Sequence, residues 1–288
     1  MSDSRKGILL GFLGVAIFSL SLPATRIAVA DLPPEFVTAV RLAGAGCLSA
    51  IYLAFNRSPR PAAGERFHLL GVITGVVIGF PLFSALAMQS VDSSHGGVVL
   101  ALLPLCTAIA AMAFGGERPG AIFFLWATLG TLTVLAFVLH QSGGGLATGD
   151  LFLVLAAIFA AIGYAAGGVL ARRRPGLEVI AWALFLSLPL SIPTLFLTAP
   201  PSFADVGPGA WAGTVYATVF AQFFGFFFFY RGLALGGIAK VGQIQLLQVY
   251  LTMAAGALLL GETIDPVMIG AALLTMLFVW LGRNAQVR

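Results

Sequence analysis

Charged residues are scarce in this chain of 288 residues. Lys and Arg number 15 and Asp and Glu number 11, so that only 9% of the chain is charged while 59% is apolar. Soluble domains carry roughly 25% charged residues. The composition therefore excludes a water-soluble globule. Because a membrane-spanning helix takes about 20 apolar residues, most of the chain is needed for spans and no separate aqueous domain of ordinary size fits in the remainder.

Residues that typically form metal, redox or catalytic sites are also few. The two cysteines, Cys47 and Cys106, lie in apolar runs and form no CxxC pair, so we expect them to pack rather than to form a disulfide. The sequence contains no HExxH and no GxSxG motif. The three histidines, His68, His95 and His140, lie near the ends of apolar runs, where we expect a loop or snorkelling role. We therefore expect no cofactor, no metal and no enzymatic activity. The alternative, an intramembrane enzyme, would need catalytic residues that these motifs and histidines do not supply.

Apolar runs between short polar segments predict an all-α integral membrane protein with ten transmembrane helices. Transmembrane strands would alternate in polarity over about 10 residues, whereas these runs are apolar on every face and helix-length. The predicted spans cover approximately residues 7–29, 34–55, 68–87, 94–114, 121–139, 151–171, 177–197, 210–230, 241–260 and 266–281.

The distribution of basic residues supports the ten spans. Cytoplasmic loops are enriched in Lys and Arg, and with ten spans and a cytoplasmic N-terminus, 13 of the 15 basic residues fall on the cytoplasmic side. The exceptions are Arg26 and Arg41, which we place near outer helix ends. Snorkelling to headgroups is the expected role there, and attraction of a substrate carboxylate at the outer mouth is the alternative. Both termini are then cytoplasmic. This topology also explains the pI of about 9.4, so nucleic-acid binding need not be invoked.

Weak internal similarity predicts two five-helix units. A shift of 145 positions aligns Gly97 with Gly242 and Thr107 with Thr252, and a shift of 141 aligns 16–18 with 157–159. We predict repeats at 1–140 and 150–288, joined by a glycine-rich linker at 141–149. Since five is odd, the second unit enters the membrane from the opposite face. Such inverted repeats are typical of secondary transporters, whose solute site lies near the midplane between the halves.

Several segments resemble EamA-type members of the drug/metabolite transporter superfamily. They are Leu22-Pro23-Ala24-Thr25-Arg26, Asp31-Leu32-Pro33-Pro34, Ala39-Val40-Arg41-Leu42, the helix endings Gly116-Glu117-Arg118 and Leu260-Gly261-Glu262, and Pro104. The resemblance implies ten helices in a basket around a central cavity, in a bacterial inner membrane, and export of amino acids or similar metabolites. Bacterial aromatic and broad amino-acid exporters are the nearest likeness. Val249 departs from the family pattern, which usually repeats the proline of span four in span nine.

Polar and aromatic residues near mid-depth are the candidates for solute binding. An amide in hydrocarbon without a partner costs several kcal/mol, so such groups should face the protein interior or a wet cavity. Three of them, in span nine, share one helical face. The candidates are Phe80, Ser84, Tyr164, Gln222, Phe223, Gln245, Gln248, Tyr250 and Thr252. Cross-linking between helices is the competing interpretation of the amides.

The absence of a midplane acid predicts facilitated rather than proton-driven transport, because coupled carriers generally place a carboxylate or histidine within the membrane. The sequence therefore predicts an exporter of amino acids or similar solutes by alternating access. Its partners are a small solute and the lipid bilayer. Alternatives are an exporter of hydrophobic drugs or cations, and a nucleotide-sugar or phosphate-ester carrier. The latter should require Lys or Arg in the cavity, where our depth assignment places none.

Overall fold

The computed structural model describes residues 3–115, 120–141, 147–236, 241 and 243–283. It is 85% helical, and no strand occurs among these residues. The helices are α1 Asp3–Ser19, α2 Ser21–Val29, α3 Pro34–Phe55, α4 Arg66–Val72, α5 Phe80–Ala87, α6 Ser93–Val99, α7 Leu103–Gly115, α8 Ala121–Gln141, α9 Thr148–Ala171, α10 Gly176–Leu197, α11 Pro208–Val215, α12 Gly225–Gly236, α13 Leu246–Leu260 and α14 Pro266–Arg283.

Among the described residues, seven stretches of helix are long and apolar enough to cross a membrane. They are Arg5–Val29, Pro34–Phe55, Ala63–Ala87, Ser93–Phe114, Thr148–Ala171, Gly176–Leu197 and Pro208–Leu235. Shorter apolar helices, Phe124–His140, Leu247–Leu260 and Pro266–Phe278, stand where spans five, nine and ten are expected. The all-helical, multi-pass class is thus confirmed, while ten crossings in a 5+5 inverted order stay a prediction.

Two predicted spans contain a stretch of π-helix. Residues Ile73–Gly79 connect α4 to α5, and Tyr216–Phe224 connect α11 to α12. The sequence gives a reason for the first. Pro81 has no backbone N–H and therefore cannot continue the α-helical ladder, and the backbone N–H of Phe80 instead bonds the carbonyl of Gly75, five residues back. The two π stretches thus lie in the third and eighth predicted spans, which are equivalent in the proposed repeat.

Short 3₁₀ turns interrupt two further spans. Leu100–Leu102 separates α6 from α7 in span four, and Gln243–Gln245 precedes α13 in span nine. Span nine thus contains a 3₁₀ turn, although it has Val249 where the family pattern has a proline. Of the linker predicted at 141–149, residues 142–146 lie outside the described part of the chain, and α9 begins at Thr148. The helix ending Gly116-Glu117-Arg118 also lies outside the described residues.

Helices from the two halves pack against each other in matching pairs. Helix α1 packs on α12, α9 packs on α4 and α5, and α3, α6 and α8 pack on α10, α13 and α14 respectively. Two of these contacts are tight in the same way. A Cβ added at Gly79 would lie 2.4 Å from Cδ1 of Phe159, and one added at Gly225 would lie 2.6 Å from Cε1 of Phe18. Phe18 and Phe159 are the residues that the shift of 141 positions aligns, so a phenylalanine ring covers a glycine at equivalent places in both halves.

Candidate transport pathway

Arg41 lies in the protein interior, not at the membrane surface. It follows the start of α3 by seven residues, or about 10 Å of helix, and only 2% of it is exposed. Its Nε donates a hydrogen bond of 2.7 Å to Oε1 of Gln222, and its Nη1 lies 3.5 Å from Oγ of Ser21. The expectation that Arg41 snorkels to headgroups is therefore wrong. The depth assigned to Arg41, on which the absence of Lys and Arg from the predicted cavity was based, is wrong for the same reason.

Gln222 links Arg41 to the backbone of another span. Its Nε2 donates to the carbonyl oxygen of Val76 at 3.0 Å. If the π-helical ladder continued one residue beyond Phe80, that carbonyl would accept from residue 81, which is a proline without an N–H. Pro81 thus leaves the Val76 carbonyl free for the amide. The chain of contacts joins α3, the π stretch Tyr216–Phe224 and the π stretch Ile73–Gly79.

Arg41 has no acidic partner in the described part of the chain. The ion pairs found there involve Arg26, His95 and Arg174, and none brings a carboxylate within 4.0 Å of Arg41. A guanidinium is always charged and offers five N–H donors. Burying such a cation without a counter-ion is costly, and intramembrane charges are for this reason usually functional. Arg41 is therefore a candidate group for binding an anion.

A cluster of aromatic rings adjoins this site. The ring of Phe18 lies 4.8 Å from that of Phe226 and 5.6 Å from that of Phe229, measured between centroids, and Tyr164 lies 5.2 Å from Phe229. Phe226 follows Gln222, the hydrogen-bond partner of Arg41, by four residues. Charge and aromatic surface thus occur together, which is the combination needed to bind an anion that carries an apolar group.

The predicted polar face of span nine is buried. Thr252 donates from Oγ1 to the backbone oxygen of Ser19 at 2.9 Å, while Nε2 of Gln245 and Oε1 of Gln248 are buried without a hydrogen-bond partner among the described residues. These three side chains line a cavity of about 10 Å³ with Gly97 and neighbouring residues of span four. A volume of this size admits at most a single water molecule.

The other predicted site residues are less closely associated with Arg41 and the aromatic cluster. Phe80 and Phe223 are 8% and 7% exposed, so both are buried. Ser84 donates to the Pro81 carbonyl within its own helix, and the hydroxyl of Tyr250 is buried without a partner in the described structure. The structure thus places Gln222 beside Arg41, Tyr164 in the aromatic cluster, and the span-nine residues at the small cavity.

Sequence reasoning did not select Arg41 or three rings, Phe18, Phe226 and Phe229, as solute-binding residues. A signal for Arg41 was present, because Arg26 and Arg41 are the two basic residues that depart from the cytoplasmic distribution. The depth assigned to Arg41 hid its role. No sequence signal separates the three rings from the many other phenylalanines in apolar runs.

Ion pairs and hydrogen bonds join the helices at one end of the molecule. Arg26 contacts Asp92 at 2.6 Å and Glu262 at 3.5 Å, and it also donates to the carbonyl of Val91. The backbone N–H groups and hydroxyls of Ser93 and Ser94 donate to Glu262 over 2.6–2.9 Å. Arg26 is thus held in ion pairs, rather than snorkelling as expected. We call Arg26, Asp92, Ser93, Ser94 and Glu262 the end network.

Hydrogen bonding controls the ionisation of Glu262. Partial burial alone would raise the pKa of this carboxyl, but the hydrogen bonds from Ser94 and Ser93 outweigh burial, so that its pKa lies below the ordinary value of 4.5. Glu262 is therefore ionised at neutral pH and pairs with Arg26.

A second contact lies at the same end. His95, at the start of α6, lies 2.7 Å from Oδ1 of Asp150, at the start of α9, and both side chains are buried. His95 was expected to have a loop or snorkelling role, whereas here it joins two helices.

The opposite end of α9 is joined by a different group. Arg174 donates from Nε to both carboxylate oxygens of Glu65, at 2.9 and 3.0 Å. Its Nη1 and Nη2 donate to the backbone oxygens of Pro59 and Arg60 respectively. Since α9 contains 24 residues, these two ends lie ~36 Å apart. Polar contacts therefore hold both ends of the bundle, with Arg41 and the aromatic cluster between them.

An apolar helical bundle of this length, with a buried cation that has no carboxylate partner among the described residues, is typical of a multi-pass membrane transporter. The model of the EamA-like transporter family matches twice, at residues 5–139 and 147–282. The chain belongs to the EamA-like transporter family. The second match begins at residue 147, within the linker predicted at 141–149.

Individual relatives agree with the family. The chain is 42% identical over 284 residues to "Uncharacterized transporter YdeK" of Bacillus subtilis (strain 168), covering 99% of both chains. It is 22% identical to "Uncharacterized transporter sll0355" of Synechocystis sp. (strain ATCC 27184 / PCC 6803 / Kazusa), covering 97% of this chain and 91% of that one. A crystal structure of a protein 20% identical in sequence superposes with a TM-score of 0.69 over 96% of each chain, a likeness that shows the fold alone.

Proposed function

We propose that this protein is a secondary transporter that exports amino acids or similar carboxylate-bearing metabolites by facilitated alternating access. The observation that carries the proposal is the buried guanidinium of Arg41, which has no carboxylate within 4.0 Å in the described structure. A solute carboxylate accepts two parallel hydrogen bonds from a guanidinium. Binding of such a solute would supply the missing counter-charge.

The neighbouring rings would recognise the rest of the solute. Phe18, Tyr164, Phe226 and Phe229 offer aromatic surface for an apolar or aromatic side chain. The unpaired amide groups of Gln245 and Gln248 are further hydrogen-bonding groups for an amino acid once the small cavity between spans four and nine widens. Phe80, Ser84, Phe223, Tyr250 and Thr252 remain proposed lining residues.

Alternating access is supported by the matched packing of the two halves. The π stretches lie in equivalent spans, and the contacts Gly79–Phe159 and Gly225–Phe18 repeat the same geometry. We propose that the halves are inverted copies of five helices each, at 1–140 and 150–288, which exchange conformations during transport. The end network would then open when the solute site faces that end.

The membrane topology belongs to the same proposal. We place the protein in a bacterial inner membrane with both termini in the cytoplasm and the end network outside. Single cysteines at Arg57 and Asp205, introduced after replacing Cys47 and Cys106 by alanine, should differ in labelling by a membrane-impermeant maleimide in intact cells. Labelling at Asp205→Cys but not at Arg57→Cys is the expected result. The reverse pattern would overturn the orientation.

A phosphate-ester carrier is the second candidate, and Arg41 is the observation that favours it. A guanidinium binds phosphate as readily as carboxylate, so the sequence-based argument against such carriers fails. Export of hydrophobic cations is disfavoured, because Arg41 would repel a cation at the same place.

Counterflow tests the proposal. Purified protein in liposomes loaded with unlabelled solute would be screened with labelled amino acids, a phosphate ester and an aromatic cation, with and without a pH gradient. We expect counterflow of an amino acid that proceeds without a gradient. Obligatory acceleration by the gradient would contradict facilitated transport, and counterflow of the cation alone would contradict the solute class.

A further inference from the structure

A groove outside the bundle interior has no role in the transport pathway described above. It lies between the start of α4 and the middle of α10, and its volume is about 660 Å³. This volume falls within the range of roughly 300–1,000 Å³ that is typical of small-molecule sites. We call it the lateral groove and define it by Arg60, Arg66, Leu70, Trp182, Phe185 and Leu186.

The apolar wall of the lateral groove faces outward from the bundle. Leu70 is 58% exposed, Leu186 45% and Phe185 37%. All three lie in helices that are long and apolar enough to span a membrane, and exposed apolar side chains at such places contact lipid hydrocarbon. The groove is therefore accessible from the lipid phase.

The rim of the lateral groove is positively charged. Arg60 and Arg66 line it, and none of its lining residues is acidic. The nearby carboxylates of Glu65 and Glu178 are bound by Arg174, at 2.9 and 3.3 Å. Arg174 also donates to the Arg60 carbonyl, which fixes the loop that carries Arg60. The charges of Arg60 and Arg66 are thus not neutralised by these two acids.

Trp182 contributes an unused hydrogen-bond donor. Its side chain lines the groove, and its Nε1 is buried without a partner in the described part of the structure. A buried indole N–H usually finds an acceptor. Two cations, one N–H donor and an apolar wall open to lipid together match a ligand that has an anionic head, a carbonyl or ester oxygen below it and a hydrocarbon tail.

We propose that the lateral groove binds a phospholipid with an anionic headgroup. Arg60 and Arg66 contact the headgroup phosphate, Trp182 donates to an ester oxygen, and an acyl chain lies against Leu70, Phe185 and Leu186. A membrane lipid fits better than a free phosphate, because the apolar wall would contribute nothing to binding an inorganic ion. The proposal is independent of which solute the protein transports.

Native mass spectrometry of the full-length protein tests the proposal. Detergent-solubilised protein would be titrated with phosphatidylglycerol or with phosphatidylcholine of the same acyl chains. We expect phosphatidylglycerol to bind at least tenfold more tightly, and the difference to disappear in Arg60→Gln/Arg66→Gln. Trp182→Phe, which keeps a ring but removes the N–H, should weaken binding about threefold. The control Arg5→Gln/Lys6→Gln removes the same charge outside the groove and should bind like the wild type.

Each remaining outcome counts against the proposal. Equal binding of the two lipids, unchanged binding by the double glutamine variant, or equal loss in the control would overturn it. Displacement of phosphatidylglycerol by inorganic phosphate at millimolar concentration would show that a free anion is the ligand. If the double glutamine variant does not fold, Arg60→Lys/Arg66→Lys replaces it, and this variant should fold and keep the preference for phosphatidylglycerol. Loss of the preference in the lysine variant, together with wild-type binding by Trp182→Phe, would contradict the assigned contacts.

Discussion

The Nε of Arg41 lies 2.7 Å from Oε1 of Gln222, although 181 residues separate the two in sequence. The hydrogen bond joins helix α3 of the first half to span eight of the second. Gln222 in turn donates to the Val76 carbonyl, which is free because Pro81 lacks an N–H. A proline, an amide and an arginine from three spans thus fix the position of one buried charge.

Placing a carboxylate at position 222 should neutralise Arg41 from within the protein. In Gln222→Glu, the new side chain forms an ion pair with Arg41 and competes with a solute carboxylate. We expect counterflow to fall at least tenfold while the melting temperature in detergent stays within a few degrees of the wild type. Ser187→Ala is the control, since Ser187 is buried but bonds only the Leu184 carbonyl in its own helix. Wild-type counterflow by Gln222→Glu would show that Arg41 does not receive the solute.

Removing the amide altogether should affect stability. Gln222→Leu deletes both hydrogen bonds and leaves Nε of Arg41 without its acceptor, at a cost of about 3 kcal/mol. The variant should therefore melt well below both the wild type and Gln222→Glu in the same detergent. Equal melting temperatures of the leucine and glutamate variants would contradict a charge-assisted role for residue 222.

The contacts of Gly79 and Gly225 with phenylalanine rings should be equally intolerant of a methyl group. Gly79→Ala forces Phe159 to move and Gly225→Ala forces Phe18 to move, and each should lower the unfolding free energy by about 1–3 kcal/mol. Gly270→Ala is the control, because no atom of the described residues lies within 4 Å of a Cβ placed there. The measurement is unfolding in mixed detergent micelles.

A second substitution separates this clash from other effects of the glycine changes. Phe159→Leu should restore part of the stability of Gly79→Ala, and Phe18→Leu part of that of Gly225→Ala. Equal stability of all three alanine variants, or absence of rescue in both halves, would be evidence against the matched packing.

Acid should weaken the end network. The pKa of Glu262 is lower in the folded protein than its ordinary value of 4.5, so the ionised carboxylate stabilises the fold above that pH. This stabilisation is lost as the pH falls below 4.5 and through the folded-state pKa. The melting temperature of the wild type should therefore decline over this range, while Glu262→Gln should melt lower at pH 6 and decline less.

Glu35→Gln provides the comparison for this pH series, because Glu35 is exposed near the same end of the bundle. It should follow the wild-type pH profile. If Glu262→Gln and Glu35→Gln have the same profile, the network does not depend on the charge of residue 262.

Apolar patterning was sufficient to predict the helices, because a run such as 151–171 is apolar on every face and satisfies its own backbone hydrogen bonds. Charge distribution likewise singled out Arg26 and Arg41. The depth of Arg41 was not predictable in the same way, since counting residues from a helix end does not tell whether a long side chain points to a headgroup or to Gln222. The π stretch around Val76 was not predicted either, because Pro81 indicates a break in the helical ladder but not the form that the break takes.

Competition between an amino acid and its carboxamide tests most directly whether Arg41 binds the carboxylate of the solute. Counterflow of the fastest amino acid in the screen would be measured with that amino acid or its carboxamide as competitor, in the wild type, Arg41→Lys, Arg41→Gln and the control Ser49→Ala. Ser49 lies in the same helix and bonds only the Ala45 carbonyl. The account predicts that the acid competes at least tenfold better than the amide, that Arg41→Gln loses transport, and that Arg41→Lys keeps part of it. Equal competition by acid and amide, or wild-type transport by a correctly folded Arg41→Gln, would contradict it.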